Sequence, residues 1–499
     1  MASGDLDPEQ RKGDVARVVE IDGVREPLLD GDRSCPSYSV RAAILPFLFP
    51  ALGGLLYGYD IGATSGATIS LESSTLSGTT WYDLSAVEIG LQVSGSLYGA
   101  LIGSVMAFVV ADFLGRRREL MLSSVLYLIG ALLTAFAPNF PLLVLGRFIF
   151  GIGIGLAMHA APMYIAETAP SQIRGRLISL KEFFIVLGML LGYISSNLYV
   201  DMVAGWRYMY ASSAPISLIM GIGMWWLPSS PRWLLLCAIQ GKGSMGVIKE
   251  NAICCLCRLK GQPVGNSSAE EIDEILVELS YSGQEKETTF REIFQGKCLK
   301  ALIIGVGVVF FQQVTGQPSV LYYAATILKS AGFSAASDAT RVSILLGLLK
   351  LVMTGIAVLA VDRLGRRPLL LGGVVGIAIS LFLLSSYYSI LKDVPFVAVV
   401  GLLLYVGCYQ LSFGPIGWLM ISEIFPLRLR GRGLSIAVLV NFASNALVTF
   451  AFSPLEALLG TGILFACFGV IGILSLIFIF FLVPETKGLT LEEIEAKIL

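Results

Sequence analysis

The fold this sequence predicts is an all-α membrane protein, with twelve spanning helices in two related six-helix halves joined by a cytosolic helical linker. Three observations carry the prediction: too little charge for a soluble chain, apolar runs of bilayer length, and a set of motifs that occurs twice at nearly one offset. Of 499 residues, 55% are hydrophobic and 14% charged, and the mean hydropathy is +0.77. A soluble chain would carry about a quarter charged residues. A net charge of −1 supplies no basic surface and argues against a nucleic-acid partner.

A helix needs about 20 predominantly apolar residues to cross the hydrocarbon. Uncharged runs of that kind cover 89–111, 120–138, 183–200, 208–231, 301–328, 368–391, 394–422 and 457–484. Four further spans, 42–68, 141–166, 342–361 and 433–454, are apolar but interrupted, the last by nothing more than Asn. The chain therefore divides into a polar tail (1–41), a first half (42–230), a linker (231–300), a second half (301–484) and a short tail (485–499). The first tail has no apolar core, so no cleavable signal peptide is expected.

Lys and Arg set the orientation. Alternate loops hold Arg116–Arg118, Arg174 with Arg176, Arg363 to Arg367, and Arg428 to Arg432, and the linker adds nine more Lys and Arg. The opposite loops hold only Arg207, Lys329, Arg341 and Lys392. The positive-inside rule then places both tails and the linker in the cytosol. Asn266-Ser-Ser fits a glycosylation pattern but falls on the linker, where that orientation leaves it unused. Amphipathic stretches such as 269–279 predict short surface helices there.

Asp112-Phe-Leu-Gly-Arg-Arg returns as Asp362-Arg-Leu-Gly-Arg-Arg, offset by 250, and Glu167-x6-Arg174-Gly-Arg returns as Glu423-x6-Arg430-Gly-Arg, offset by 256. Pro228-Ser-Ser-Pro-Arg returns loosely as Pro484-Glu-Thr-Lys-Gly at the same 256. Paired motifs at nearly one offset imply two homologous halves, and such halves place a substrate site between them near mid-bilayer. Taken alone, each Asp-x-x-Gly-Arg-Arg loop is a basic anchor with a Gly turn. A further reading makes Asp112, Arg116, Glu167, Arg174, Asp362, Arg366, Glu423 and Arg430 a cytosolic gate, whose ion pairs form in one state of a two-state equilibrium.

Jointly with Gly58-Tyr-Asp-Ile-Gly, Gly146-Arg-Phe-x-x-Gly-x-Gly-x-Gly, Gln312-Gln and Gly414-Pro-x-x-Trp418, these motifs resemble the sugar porters of the major facilitator superfamily, from Val40 to the C-terminus. Leu180-Lys-Glu-Phe-Phe and Gln317-Pro-Ser-Val-Leu-Tyr-Tyr resemble the plant vacuolar glucose transporter branch, also described as D-xylose–proton symporter-like.

A neutral polyol is bound by groups that both donate and accept hydrogen bonds, such as amides, with an aromatic face against its C–H side. Gln312, Gln313 and Gln317 lie in an otherwise apolar run. The resemblance implies sugar binding by Gln312 and Gln313, stacking by Trp418 after Gly414, a further amide at Asn441 and an aromatic pocket position at Tyr57. For any one of these amides, helix–helix hydrogen bonding is the competing reading. Against that resemblance two departures stand out: Pro318 replaces an Asn of bacterial relatives, so that one sugar contact is absent or supplied by Gln317, and Glu182 replaces a Gln.

Charges inside spans cost about 2.5–3.5 kcal/mol each at a helix centre on insertion scales, so they must pair or face water. The resemblance makes Asp60 and Arg147 a proton-coupling pair on the first and fourth helices; a static ion pair is the alternative. Glu182 and Lys350 are expected to meet near the sugar and join the coupling. Lys181 is expected to snorkel, and His159 to be a hydrogen-bonded core residue.

The function implied is proton-coupled transport of a hexose by alternating access, with glucose first and xylose or fructose as alternatives. The vacuolar membrane is favoured over the plasma membrane by Glu26-Pro-Leu28-Leu29, which resembles an acidic dileucine sorting signal. A proton-independent facilitative carrier and a transporter-like sugar sensor are the competing readings. No enzyme chemistry, cofactor or metal is expected. The eight cysteines are scattered, and the tightest group, Cys254, Cys255 and Cys257, lacks a nearby His. The partners expected are a monosaccharide, protons and the lipid bilayer, with the chain working as a monomer.

Overall fold

The structure is a computed structural model that describes residues 40–169, 174–241, 244–260, 266–284, 294, 296–333, 335–390, 394–425 and 430–487. Glu26 to Leu29 lie outside the described residues. So do the side chains of Asp112, Arg174, Asp362, Arg430 and Asn266, whose backbones are helical. The described residues form helices and connections, with no strand among them.

The first half comprises α1 (Val40–Glu72), α2 (Ala86–Leu114), α3 (Arg116–Ala135), α4 (Phe140–Thr168), α5 (Arg174–Tyr199), α6 (Gly205–Ala211) and α7 (Ser213–Trp226). The linker forms α8 (Pro231–Ile239), α9 (Met245–Lys260) and α10 (Asn266–Gln284), the short helices expected there. Leu235, Ala252, Leu256 and Ile272 give the linker a small core of its own. The second half comprises α11 (Gly296–Val314), α12 (Gln317–Tyr322), α13 (Ala324–Ser330), α14 (Ala336–Leu364), α15 (Arg366–Ser389), α16 (Pro395–Leu411), α17 (Phe413–Ile424), α18 (Arg430–Leu459) and α19 (Thr461–Leu482). Ten stretches among the described residues are long and apolar enough to cross a membrane. The 33-residue α1 and the α6–α7 pair complete twelve spans. Phe113, Trp226 and Phe481, each more than 70% exposed, are outward-facing apolar side chains suited to lipid.

Three runs predicted to be continuous helices are broken. The run 301–328 divides at Thr315 and Gly316. Gly316 has φ +94, and a Cβ there would lie 2.8 Å from Phe468. Pro318, which has no N–H to donate, sits in the first turn of α12, where none is needed. Tyr405 Oη donates to the carbonyl of Thr315 at 3.2 Å, so the break leaves that acceptor satisfied, as a membrane interior requires. The run 394–422 breaks at Ser412, whose hydroxyl donates to the Cys408 carbonyl at 2.8 Å. The run 208–231 breaks at Ser212 and ends with α7, before the separate α8. Residues 457–459, placed at the start of the last span, lie on α18 instead.

The repeat predicted from the motifs is also a repeat of geometry. Gly115 (φ 77, ψ 159) and Gly365 (φ 95, ψ 163) make the same turn before α3 and α15. In each half the second arginine of the motif then caps the sixth span. Arg117 donates to the carbonyls of Met224 and Trp225, and Arg367 donates to that of Phe480. Within the first half, α1 and α5 approach so closely that a Cβ on Gly58 would lie 1.8 Å from the Ile185 carbonyl oxygen. Small residues permit this approach, and van der Waals packing rewards it.

The linker side of the bundle is called here the linker face and the other side the far face. The halves meet on the far face, where Tyr193 Oη donates to the Leu321 carbonyl at 2.8 Å and the amide of Ala325 donates to Ser65 Oγ at 2.9 Å. Thr340 Oγ1 donates to Asn197 Oδ1 at 3.1 Å in the same region.

Candidate functional site

Between the halves the second half presents a cluster of buried amides. Gln312 and Gln313 are 4% and 5% exposed and Asn441 8%. Gln312 Nε2 donates to the Phe413 carbonyl at 3.0 Å, tying α11 to α17, and Gln313 Nε2 donates to Asn441 Oδ1 at 2.6 Å, tying α11 to α18. The Oε1 atoms of both glutamines are buried without a hydrogen-bond partner. A buried acceptor left unpaired is costly, so these two atoms are suited to receive hydroxyl protons from a ligand. A small residue leaves room beside the first of them: a Cβ on Gly417 would lie 3.1 Å from Gln312 Oε1, whereas one on Gly414 would lie 3.0 Å from Gln410 Nε2. Trp418 and Gln317 are half-buried, and Trp418 packs against an apolar cluster that draws on both halves.

The first half faces this cluster through Tyr57, whose ring meets Phe442 edge-on at 6.3 Å. Phe442 follows Asn441 in the chain, so Tyr57 spans the boundary at the level of the amides. One turn further along α1 is Asp60. Arg147 holds it with Nη1 at 2.9 Å from Oδ1 and Nη2 at 3.3 Å from Oδ2. Ser96 Oγ donates to Asp60 Oδ2 at 2.7 Å and accepts from Arg147 Nη2 at 3.0 Å. The Val93 carbonyl takes a further bond from Arg147 at 3.1 Å, and the Tyr210 ring lies 5.2 Å from the guanidinium. A cavity of about 10 Å³ is bounded by Tyr59, Asp60, Thr134, Arg147, Tyr210 and Ser213, room for roughly one water. The sequence therefore places Asp60 and Arg147 together as expected; Ser96 and Tyr210 carry no signal of their own in it.

Other expectations need correction. Glu182 and Lys350 do not form a direct ion pair among the described residues. Glu182 pairs with Lys181 at 3.3 Å, its side chain 48% exposed, while Lys350 is buried and lies within electrostatic reach of Glu182 without an ion-pair contact to it among the described residues. A neighbour in sequence reaches the carboxylate with little ordering of chain, and that contact wins over one between halves. For the same reason Lys181 is buried and paired instead of snorkelling. His159 bonds Glu119 Oε1 through Nδ1 at 3.0 Å, the hydrogen-bonded role expected of it. Glu119 itself, wholly buried, was not singled out by any motif.

At the linker face, Arg116 pairs with Glu167 at 3.2 Å and Arg366 with Glu423 at 3.0 Å. Each pair lies within one half, and the two are equivalent under the repeat. Sequence reasoning missed the residues that bind the second pair to the end of the chain. Glu485 accepts from the amides of Arg366 at 3.1 Å and Arg367 at 3.0 Å, at the start of α15. Thr486 Oγ1 donates to Glu423 Oε2 at 2.6 Å, and Lys487 Nζ donates to the Arg363 carbonyl. Partial burial pushes the Glu485 carboxyl up, but the amides of Lys487, Arg366, Arg367 and Thr486 together outweigh it and hold it below its ordinary value. The recurrence of Pro484-Glu-Thr-Lys-Gly near a motif offset was the available signal; its capping role is three-dimensional.

The comparisons agree with this geometry. Residues 47–498 match the family model described as sugar (and other) transporter. The chain is 68% identical to D-xylose-proton symporter-like 2 of Arabidopsis thaliana, over 99% of this chain and 100% of that one. It is 63% identical to the chloroplastic D-xylose-proton symporter-like 3 of the same plant, over 93% and 84%. Among solved structures, the inward open conformation of the xylose transporter XylE from E. coli superposes with a TM-score of 0.75 at 32% identity, covering 90% of this chain and 98% of that one. The chain is a membrane transport protein with the major facilitator fold, and it belongs to the sugar transporter family.

Proposed function

We propose that the chain couples the movement of a hexose to that of protons, binding the sugar between halves 42–230 and 301–484 and exposing it to one face at a time. The observation that carries this reading is the placement of a buried carboxylate–guanidinium pair one turn along α1 from Tyr57, which itself faces the amide cluster. An ionised Asp60 holds Arg147; a neutral one releases it. Proton binding can therefore bias which arrangement of helices is favoured. Relatives described as D-xylose-proton symporter-like support both the sugar class and the coupling. Glucose is the first substrate to test, then xylose and fructose.

The Gln312 and Gln313 acceptors, with Asn441, Gln317, Trp418, Gly414 and Tyr57, form the sugar site in this reading. Glu182 stands at its edge, solvent-accessible. Far-face contacts between the halves support assigning this structure to the state open toward the linker face. The Lys and Arg content of the linker-face loops supports a cytosolic linker and cytosolic tails. Delivery to the vacuolar membrane rests on the dileucine-like Glu26 to Leu29 segment, and action as a monomer on a substrate site built within one chain.

Purified protein in liposomes with an imposed pH gradient tests the proposal. Sugar should accumulate against its own gradient when the pH gradient is present and only equilibrate when it is collapsed. Equilibration under both conditions would establish a facilitative carrier instead; no sugar flux under either would remove the transport assignment for that sugar.

A further inference from the structure

Tyr322 is wholly buried on α12 of the second half. Its hydroxyl crosses the boundary between the halves and faces Ser96 on α2, within electrostatic reach of Asp60 and Arg147. It completes no hydrogen bond there. A tyrosine hydroxyl buried without a partner is destabilising, and buried Tyr hydroxyls normally have one. The group it faces is occupied. Ser96 Oγ gives its proton to Asp60 Oδ2 at 2.7 Å and receives Arg147 Nη2 at 3.0 Å, and these two bonds fix how the hydroxyl is turned.

We propose that Tyr322 is a positioning residue that links closure of the far face to proton binding at Asp60, acting through Ser96. The inference rests on the proton-coupled reading above. When Asp60 is ionised it holds both Arg147 and Ser96, and Tyr322 is left unpaired. When Asp60 takes a proton, the attraction that keeps Arg147 in place is lost. Ser96 Oγ then loses its guanidinium donor, and the freed lone pair can accept the Tyr322 O–H. A hydrogen bond between the halves thus becomes available only with the proton bound. No covalent bond other than the Asp60 O–H is made or broken.

The helix that carries Tyr322 is built to transmit this. α12 is six residues long, set off from α11 by the Gly316 turn and from α13 by Tyr323. Two other contacts hold it and α13 to the first half: the Tyr193 hydroxyl on the Leu321 carbonyl and the Ala325 amide on Ser65. Both join neutral groups and are indifferent to charge. Of the three, Tyr322 is the one placed against an ionisable pair. By linkage, a proton that favours the closed far face is itself bound more tightly when that face is closed.

Tyr322→Phe removes the hydroxyl and keeps the ring, so the packing of α12 is preserved. In liposomes, sugar counterflow without a pH gradient should be retained and serves as the control for folding and binding. Accumulation driven by the pH gradient should fall by about five-fold, the equilibrium ratio that one net hydrogen bond supplies. The pH dependence of counterflow should flatten. Ser96→Ala combined with Tyr322→Phe should lower accumulation no further than Ser96→Ala alone, because the two act in one chain. Accumulation and pH profile equal to wild type in Tyr322→Phe would overturn the inference, as would loss of counterflow, which would make the hydroxyl structural. Wild-type protein showing no pH-driven accumulation would instead overturn the proton-coupled reading, a result visible before any variant is made.

Discussion

Arg147 holds Asp60 by both terminal guanidinium nitrogens, at 2.9 and 3.3 Å, with the two side chains 1% and 3% exposed. A two-pronged contact of this kind is strong and directional. It is also interdependent, because removing one charge leaves the other buried without compensation. Asp60→Asn separates the coupling role from a static one. The amide resembles a protonated carboxyl and cannot ionise. If Asp60 carries the proton, the variant should bind and exchange sugar in counterflow yet fail to accumulate it on a pH gradient. A static pair predicts loss of binding and exchange together. Gradient-driven accumulation by Asp60→Asn would exclude Asp60 as the proton carrier.

The amide cluster predicts a different phenotype. Gln313→Ala removes an acceptor that has no protein partner and a donor held by Asn441. Trp418→Ala removes a half-buried aromatic face. Each should weaken sugar affinity by about 1–2 kcal/mol, the worth of one hydrogen bond or stacking contact, while the protein remains monodisperse in detergent. Equilibrium binding of radiolabelled sugar gives the readout. Unchanged affinity in both variants would place the sugar elsewhere.

The number of spans, the repeat and the Asp60–Arg147 pair were legible in the sequence because each leaves a local mark: an apolar run, a duplicated motif, a charge where charge is expensive. The helix breaks at Ser212, Thr315–Gly316 and Ser412 were not. Hydropathy is blind to a turn whose freed carbonyl is satisfied by a distant side chain, as Tyr405 does for Thr315. The direct ion-pair partner of Glu182 was also not legible, because residue-by-residue resemblance locates a side chain on a helix but not which of two nearby lysines it touches. Ser96, Tyr322 and Glu485 act through contacts between segments far apart in the chain; nothing near Ser96 marks it, and the motifs that contain Tyr322 and Glu485 mark the family but not these contacts.

Glu485 gives a pH-dependent prediction. Its carboxyl titrates below the ordinary value of 4.5 in the folded protein, because the charged form accepts backbone N–H bonds. A depressed value means stabilisation that is present above about 4.5 and lost as pH falls through the folded value. The group is only half-buried, so screening keeps the effect modest, no more than the roughly 1 kcal/mol of a helix cap. Hydrogen exchange at the Arg366 and Arg367 amides should be faster in Glu485→Gln than in wild type at pH 7. The two should converge as pH is lowered past the folded value. Equal protection at pH 7 would show that the carboxylate does not cap α15.

The approach of α1 to α5 makes the last prediction. A methyl group on Gly58 would sit 1.8 Å from the Ile185 carbonyl oxygen and 2.9 Å from the Met189 nitrogen. Both are backbone atoms and cannot turn aside, so Gly58→Ala must push the helices apart. Overpacking of this kind costs about 1–3 kcal/mol, and it acts two residues from Asp60, whose geometry toward Arg147 depends on where α1 lies. Gly355 supplies the control. It too lies within a helix, α14, but a Cβ there meets nothing within 4 Å. Alanine at that position should be neutral or stabilise the helix by roughly 0.5–1 kcal/mol, because it lowers the backbone entropy lost on ordering. Thermal unfolding in detergent should therefore show Gly58→Ala below wild type and Gly355→Ala at or above it, and proton-driven accumulation should fall in the first alone. Equal melting temperatures for the two variants would mean that α1 and α5 are not in the contact described.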